Sequence, residues 1–112
     1  MAVSYSYDLF GTAIPGDTNE AVLLTLAAGE ELIKCEVRAV NIDSSDHAVR
    51  IGIDTDGDDA ADIWYEYDTT VTVGIPLVCD IPGLGSEYQV IVRTDSADDI
   101  HFSISGCKKT TT

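Results

Sequence analysis

The stretch Val49-Arg50-Ile51-Gly52-Ile53 alternates apolar with polar or small residues, and this alternation decides the fold. The same period of two recurs in residues 88–93 and in residues 100–105. A period of two is typical of a strand that buries one face and exposes the other. No long stretch shows a convincing period of 3.6, so the pattern predicts an all-β protein.

The turn signals between these stretches predict about eight short strands. Clusters of Gly, Pro, Asn and Asp recur at intervals of roughly 8–12 residues, which is the spacing of sandwich folds. The predicted strands are Val3–Phe10, Ala21–Leu26, Glu31–Ile42, Ala48–Asp54, Ile63–Asp68, Thr70–Ile75, Glu87–Arg93 and Ile100–Ser105. We therefore expect a single-domain antiparallel β-sandwich or jelly roll over residues 1–107, followed by a short polar tail at residues 108–112.

Two details of this assignment are specific. The inward positions of the third strand are predicted to be Ile33, Cys35, Val37 and Ala39, and then Val40 and Ile42. A shift of one residue in the phase predicts a β-bulge after Ala39. The Pro and Gly residues of Pro76–Gly85 predict an irregular crossing between strands.

The charge of the chain restricts its partners. Asp and Glu number 20 against 6 Lys and Arg, which gives a net charge of −14. Binding to nucleic acid phosphates or to an anionic membrane needs basic residues, so neither partner is expected. No apolar run is long enough for a membrane span and no signal-peptide pattern is found, so we expect a soluble protein made in the cytoplasm of its host.

The cysteines are Cys35, Cys79 and Cys107, and none has the spacing of a metal site or a CxxC motif. The phase of Cys35 and the apolar neighbours of Cys79 predict that both are buried. Cys107 stands at the start of the polar tail and is expected to be exposed. A disulfide between Cys79 and Cys107 is the alternative to free thiols.

An acidic loop follows the stretch that decides the fold. Asp54, Asp56, Asp58 and Asp62 surround a Gly turn and offer the hard oxygen ligands that calcium prefers. The loop is similar to the Asp-x-Asp-x-Asp calcium loops of extracellular repeat proteins. It differs from an EF-hand loop, because Asp59 occupies the Gly position and Tyr65 the position of the bidentate Glu. The alternative is an acidic hairpin turn without a metal.

Three aromatic residues follow the acidic loop. Trp64, Tyr65 and Tyr67 are candidates for a platform that stacks a sugar ring or for an interface with another subunit. Trp64 is out of phase with Tyr65 and Tyr67, so it is expected to face away from the core.

The histidines offer no catalytic set. His47 follows Asp46 in a turn, and His101 lies on the polar phase of the last strand. No Ser has the context of a nucleophile elbow and no Cys has a partnering motif, so we predict that the protein is not an enzyme. No cofactor is required by the sequence, and calcium is the candidate ligand.

Residues 22–54 resemble a pattern found in small β-sandwich virion proteins of tailed bacteriophages. In this pattern a strand ends at an Ala-Gly-Glu turn, here residues 28–30. A long strand then closes at an Asn, here Asn41, and a short Ser/Asp turn leads into the next strand. The family includes head decoration or cement proteins and tail accessory proteins. The resemblance implies a non-enzymatic role, many copies on a particle and often trimers.

These observations lead to two hypotheses. The first is a virion structural protein that decorates or stabilises a phage capsid or tail through subunit contacts. Its partners are the major capsid or tail protein and other copies of the chain, and residues 1–10 or the tail at 108–112 make the contacts. The second is a calcium-stabilised module for carbohydrate binding or adhesion, which uses residues 54–62 and Trp64.

Overall fold

The computed structural model describes residues 2–112 and contains eight β-strands. They span Val3–Ala13 (β1), Ala21–Thr25 (β2), Glu30–Asn41 (β3), His47–Asp54 (β4), Ile63–Val71 (β5), Leu77–Ile81 (β6), Gln89–Thr94 (β7) and Ile100–Thr111 (β8). No helix in the described range could cross a membrane. The predicted all-β class is confirmed. Met1, the first residue of the predicted domain, lies outside the described residues.

The strands form two four-stranded sheets. Sheet A has the order β1-β8-β3-β6 and sheet B has the order β2-β7-β4-β5. The pairs β1/β8, β2/β7, β3/β6 and β4/β5 are all antiparallel, so the two halves of the chain pair in nested order. This nested pairing is the arrangement of a jelly roll, and it confirms the predicted sandwich.

The core lies between the sheets and uses the inward phase of the strands. Val49, Ile51 and Ile53 of β4 are at most 5% exposed and belong to one cluster with Phe102 and Ile104 of β8. Burial of each such side chain contributes roughly 1.5–3 kcal/mol, so the alternating stretches supply the main favourable term in folding.

The predicted phase of β3 is wrong at both ends. The register shift lies between Leu32 and Lys34 and not after Ala39. Leu32 is buried, while Ile33 is 46% exposed. At the other end, Asn41 takes the inward position and donates through Nδ2 to Ser45 O and Val71 O at 2.7 and 3.0 Å. A hydrogen-bonded amide therefore occupies a place that hydrophobicity alone assigned to Val40 and Ile42.

The region of β5 and β6 also differs from the prediction. Residues 63–71 form one strand with two register shifts, and the predicted strand Thr70–Ile75 ends at Val71. Gly74 has φ +79°, which marks a turn, and Ile75 is exposed. The predicted irregular crossing contains β6, because Pro76 and Pro82 lie just outside this strand and leave its backbone free to pair.

Strand β8 is longer than predicted and includes most of the expected tail. Residues 108–110 pair with β1 on one side and with β3 on the other, and Thr111 N–H donates to Gly29 O just before β3. The Lys108 Nζ donates to Glu30 Oε2 at 2.9 Å. The polar residues of this segment extend a central strand because both neighbours satisfy its backbone hydrogen bonds.

Candidate functional site

The free edge of sheet A carries a row of exposed apolar side chains. Val3, Tyr5, Tyr7 and Leu9 are 46%, 61%, 83% and 55% exposed. They share the outer face, since Leu9 pairs with Ser105 while the adjacent Ile104 belongs to the core. We call these four residues the tyrosine row. In the described chain β1 pairs only with β8, so the opposite edge of β1 offers its backbone groups to a further strand.

Two lysines lie beside the tyrosine row. The lysines of the chain are Lys34 on β3 and Lys108 and Lys109 on β8, and Lys109 pairs directly with Tyr5. Lys34 pairs with Cys107, the β8 partner of Tyr7. Lys108 faces the other side of β8 and binds Glu30, so two of the six basic residues lie beside the row of an otherwise strongly acidic protein.

The acidic loop brings its predicted ligands together. Carboxylate oxygens of Asp54, Asp56, Asp58 and Asp62 lie within 4.8 Å of one another. Asp54 is fully buried, and the other three are exposed. Hard oxygen atoms at this separation suit a cation such as calcium.

The same carboxylates also hold the loop by hydrogen bonds. Asp54 Oδ1 accepts from the N–H groups of Asp56 and Gly57 at 3.0 and 3.1 Å, and Asp54 Oδ2 accepts from Asp59 N–H at 2.9 Å. Burial raises the pKa of Asp54, but these N–H groups outweigh it and hold the pKa below its ordinary value. Hydrogen bonds with Asp54 and then Asp58 raise the pKa of Asp56. These hydrogen bonds hold the shape of the loop, and its carboxylates concentrate negative charge.

Gln89 of β7 connects this loop to sheet B. Its Nε2 donates to Asp59 Oδ1 at 2.8 Å and to Thr25 Oγ1 at 3.1 Å. Its Oε1 is buried without a hydrogen-bond partner in the described chain. This contact was not predictable from local sequence patterns, because Gln89 and Asp59 are 30 residues apart.

The predicted aromatic residues do not form one flat platform. Trp64 packs over Gly52 on the outer face of sheet B, as expected from its phase. Its ring meets Tyr67 at 5.6 Å between centroids and an angle of 71°, and Arg50 stacks on Tyr67 at 3.9 Å. Tyr65 is the extra residue at a register shift of β5, between the pairs made by Trp64 and Glu66. Trp64 and Tyr67 therefore form an edge-to-face pair, and Tyr65 stands apart from it.

His47 lies in a cluster of carboxylates that the sequence did not indicate. Its Nε2 lies 2.7 Å from Asp43 Oδ2 and 3.6 Å from Asp99 Oδ2, and its Nδ1 lies 3.0 Å from Asp95 Oδ1. The hydrogen bond with Asp43 is the main cause of the raised pKa of His47. The adjacent Asp46 accepts from Val73 N–H instead. Only the meeting of two turns distant in sequence assembles the cluster.

The cysteines are free thiols, and all are buried. The exposed position expected for Cys107 is wrong, because this residue lies in β8 between β1 and β3 and is 7% exposed. Burial raises the pKa of Cys35 to about 12 and that of Cys79 to about 11. Neither of these two thiols has the low pKa of a catalytic nucleophile. His101 is exposed on β8, as predicted.

Comparison with known proteins finds similarity in structure alone. No family model matches the chain, and no curated protein matches it. The coat protein of Tobacco streak virus has a similar structure, with a TM-score of 0.54 and 10% identity over 97% of this chain and 86% of that chain. This similarity shows that the chain has the β fold of a viral coat protein.

Two other viral proteins give lower scores. The capsid of the Helicobacter pylori bacteriophage KHP30 matches at a TM-score of 0.45 and 12% identity, over 99% of this chain and all (100%) of that chain. The infectious bursal disease virus VP2 subviral particle matches at 0.48 and 17%, over 96% of this chain and 31% of that chain.

Proposed function

We propose that this protein is a non-enzymatic structural component of a virus particle, which decorates or stabilises a phage capsid or tail. The similarity to a plant virus coat protein supports a fold used in particles, and it covers nearly all of this chain. A fold by itself does not define a function. The observation that carries the proposal is therefore the tyrosine row on the free edge of β1.

The tyrosine row suits a protein contact better than a solvated surface. Natural sheet edges are usually protected by charged residues, Pro or short strands. The β1 strand is 11 residues long, and residues 3–9 contain a single charged side chain, Asp8. A strand of a neighbouring subunit would extend sheet A through backbone hydrogen bonds to β1. The tyrosines, on the outer face of sheet A, would pack against side chains of that subunit. Tyrosine is a frequent anchor of such interfaces.

The charge distribution suits the same contact. Lys34 and Lys109 beside the tyrosine row would suit an acidic partner, and the rest of this chain is itself strongly acidic. A neighbouring copy in a homo-oligomer, such as a trimer, meets this requirement, as does an acidic patch of the major capsid or tail protein. Electrostatic complementarity would select the orientation of the contact.

The chemistry of the side chains supports a role without catalysis. The pKa values of Cys35 and Cys79 are raised by burial, and both nitrogens of His47 lie against carboxylates. Raised pKa values make the two thiols poor nucleophiles, and the imidazole is engaged by structural contacts on both of its nitrogens.

Sedimentation of the native protein tests the proposal. A lysate of its source is fractionated on a sucrose gradient, and the protein is detected by mass spectrometry. We expect it in fractions of particle size, and mild denaturant should release it as small oligomers. Migration only as a free monomer or small oligomer would overturn the virion role.

A second candidate function is a calcium-stabilised module for carbohydrate binding or adhesion. The convergence of Asp54, Asp56, Asp58 and Asp62 favours this function. Ala61, near the end of the acidic loop, lies beside Trp64 over Gly52. The unpartnered Oε1 of Gln89 adds a further oxygen close to this loop. Calcium that binds the folded state alone would raise Tm by mass action.

The second candidate makes a separate prediction. Calcium should raise Tm, and D56N should abolish the rise, whereas D17N in another exposed loop should retain it. The isolated monomer should also bind glycans through Trp64. A Tm independent of calcium, together with no glycan binding, would exclude this function and leave the virion proposal untouched.

A further inference from the structure

The end of the sandwich opposite to the acidic loop contains a second cluster of metal-binding groups. It joins the turn between β3 and β4 to the turn between β7 and β8. We propose that Asp43, His47 and Asp99 bind a divalent transition-metal ion of the zinc type, which clips these two turns together. This inference is independent of the proposed function.

The distances in the cluster suit one small ion. A donor atom from each of the three residues lies within 4.8 Å of the other two. Zinc bonds to His nitrogen and Asp oxygen are about 2.0–2.1 Å, so tetrahedral donor atoms lie roughly 3.3 Å apart. The distances from His47 Nε2 to Asp43 Oδ2 and Asp99 Oδ2 are 2.7 and 3.6 Å, one on each side of that value.

The second nitrogen of His47 has the partner that a metal-binding histidine requires. His47 Nδ1 lies 3.0 Å from Asp95 Oδ1. Asp95 is held in turn, because its Oδ2 accepts from Ala48 N–H at 3.0 Å. A carboxylate on Nδ1 keeps the proton there and directs the lone pair of Nε2 to the metal. The Nδ1–Asp95 contact is an observation independent of the two carboxylates that lie near Nε2.

The two oxygen donors are also positioned by the fold. Asn41 Oδ1 accepts from Asp43 N–H at 2.9 Å, and the Asn41 amide is anchored inside the sandwich by its bond to Val71 O. Ser96 Oγ donates to Asp99 Oδ2. His47 itself lies on the inward phase of β4 and its side chain is only 16% exposed. The ion would therefore sit at the end of the core, partly shielded from water.

Metal and proton compete for the same position. With both nitrogens protonated, the imidazolium donates to Asp43 and to Asp95. When the ion binds, a bond forms between Nε2 and the metal, and the Nε2 proton leaves to solvent. Two carboxylates and one neutral imidazole leave at least one coordination position for water.

Titration of the whole chain with Zn²⁺ tests the site. The protein is first treated with a chelator, and binding is followed by calorimetry and by Tm at neutral pH. We expect saturable binding of one ion and a rise in Tm. H47Q and D99N should lose this binding, and D95N should weaken it about 10–100-fold because it removes the partner of Nδ1.

Matched variants separate this site from other acidic groups. D98N changes the residue next to Asp99, and H101Q changes the other histidine, so both should bind zinc as the wild type does. D56N in the acidic loop should also leave binding unchanged. If H47Q is shown by circular dichroism to be unfolded, D99N carries the test. Zinc binding that persists in folded H47Q or D99N, or its absence from the wild type at millimolar zinc, would overturn the proposal.

Discussion

Strands β1 and β7 share an alternating pattern but have opposite environments. In β7 every residue except Arg93 is buried, whereas residues 3–9 of β1 are all exposed. β7 lies between β2 and β4, while β1 has only β8 beside it. The position of a strand in the sheet therefore determines how far its side chains are buried. Apolar residues on an edge strand stay exposed and are available for association.

The largest expected loss of stability comes from a substitution in the buried core. Phe102→Ala removes a side chain that is 1% exposed in β8, and it should lower the free energy of unfolding by about 3–5 kcal/mol. Tyr7→Ala removes an aromatic ring that is 83% exposed, and it should change that free energy by no more than about 0.5 kcal/mol. Urea denaturation of both variants measures the difference. Equal losses would mean that the tyrosine row stabilises the monomer.

A smaller effect is expected where β8 passes close to β3. A Cβ at Gly106 would overlap Lys34 O and lie 2.8 Å from Cys35 Cα. Gly106→Ala should therefore lower the free energy of unfolding by about 1–3 kcal/mol, because the backbone must move. Gly83→Ala is the control, since its nearest contact would be 3.4 Å. Similar stability of the two variants in urea would argue against the close approach.

The ion pair at the start of β3 predicts a dependence on pH. Glu30 Oε1 accepts from Ala27 N–H at 2.8 Å, and this bond, together with Lys108, holds the pKa of Glu30 below its ordinary value of 4.5. A depressed pKa means that the contribution to stability is complete above pH 4.5 and is lost as the pH falls through the lowered value.

Glu30→Gln checks this pH dependence. Thermal unfolding between neutral and acidic pH should show a smaller loss of Tm below the ordinary pKa for Glu30→Gln than for the wild type. Glu31→Gln is the matched control, because Glu31 is the exposed neighbour and should keep the wild-type profile. Identical profiles for all three proteins would contradict the role of Glu30.

The smallest effect on folding is expected at the tyrosine row, where the effect on association should be complete. Tyr7→Asp places a negative charge at the centre of the row, where it would repel an acidic partner, and should leave the free energy of unfolding within about 0.5 kcal/mol of the wild type. It should nevertheless shift the protein from particle fractions to free fractions in a sucrose gradient. Ser6→Asp adds the same charge on the opposite face of β1, and it should retain sedimentation with particles. Loss of sedimentation in both variants would point to general charge repulsion.

The success of the fold prediction has a local cause. Alternation in residues 49–53 and 100–105 reports directly on which side chains face the core, and the turns between strands are set by Gly, Pro and Asp. The strand boundaries failed where long-range pairing decides them. Residues 108–110 are polar but pair with two neighbouring strands, and β6 has prolines just outside both ends.

The candidate sites show the same division. The four carboxylates of the acidic loop lie within nine consecutive residues, so their convergence was predictable from turn geometry. The cluster of Asp43, His47 and Asp99 was not predictable, because its members come from turns that only the nested strand pairing brings together.

The sequence by itself therefore determined the all-β class, the buried phase of most strands, the acidic surface and the acidic loop, since each depends on residues close together in the chain. The tertiary fold alone set which strand lies at an edge, where the bulges fall, and that His47 meets two carboxylates distant in sequence, Asp95 and Asp99. These features depend on the order of strands in the two sheets, which local periodicity does not encode.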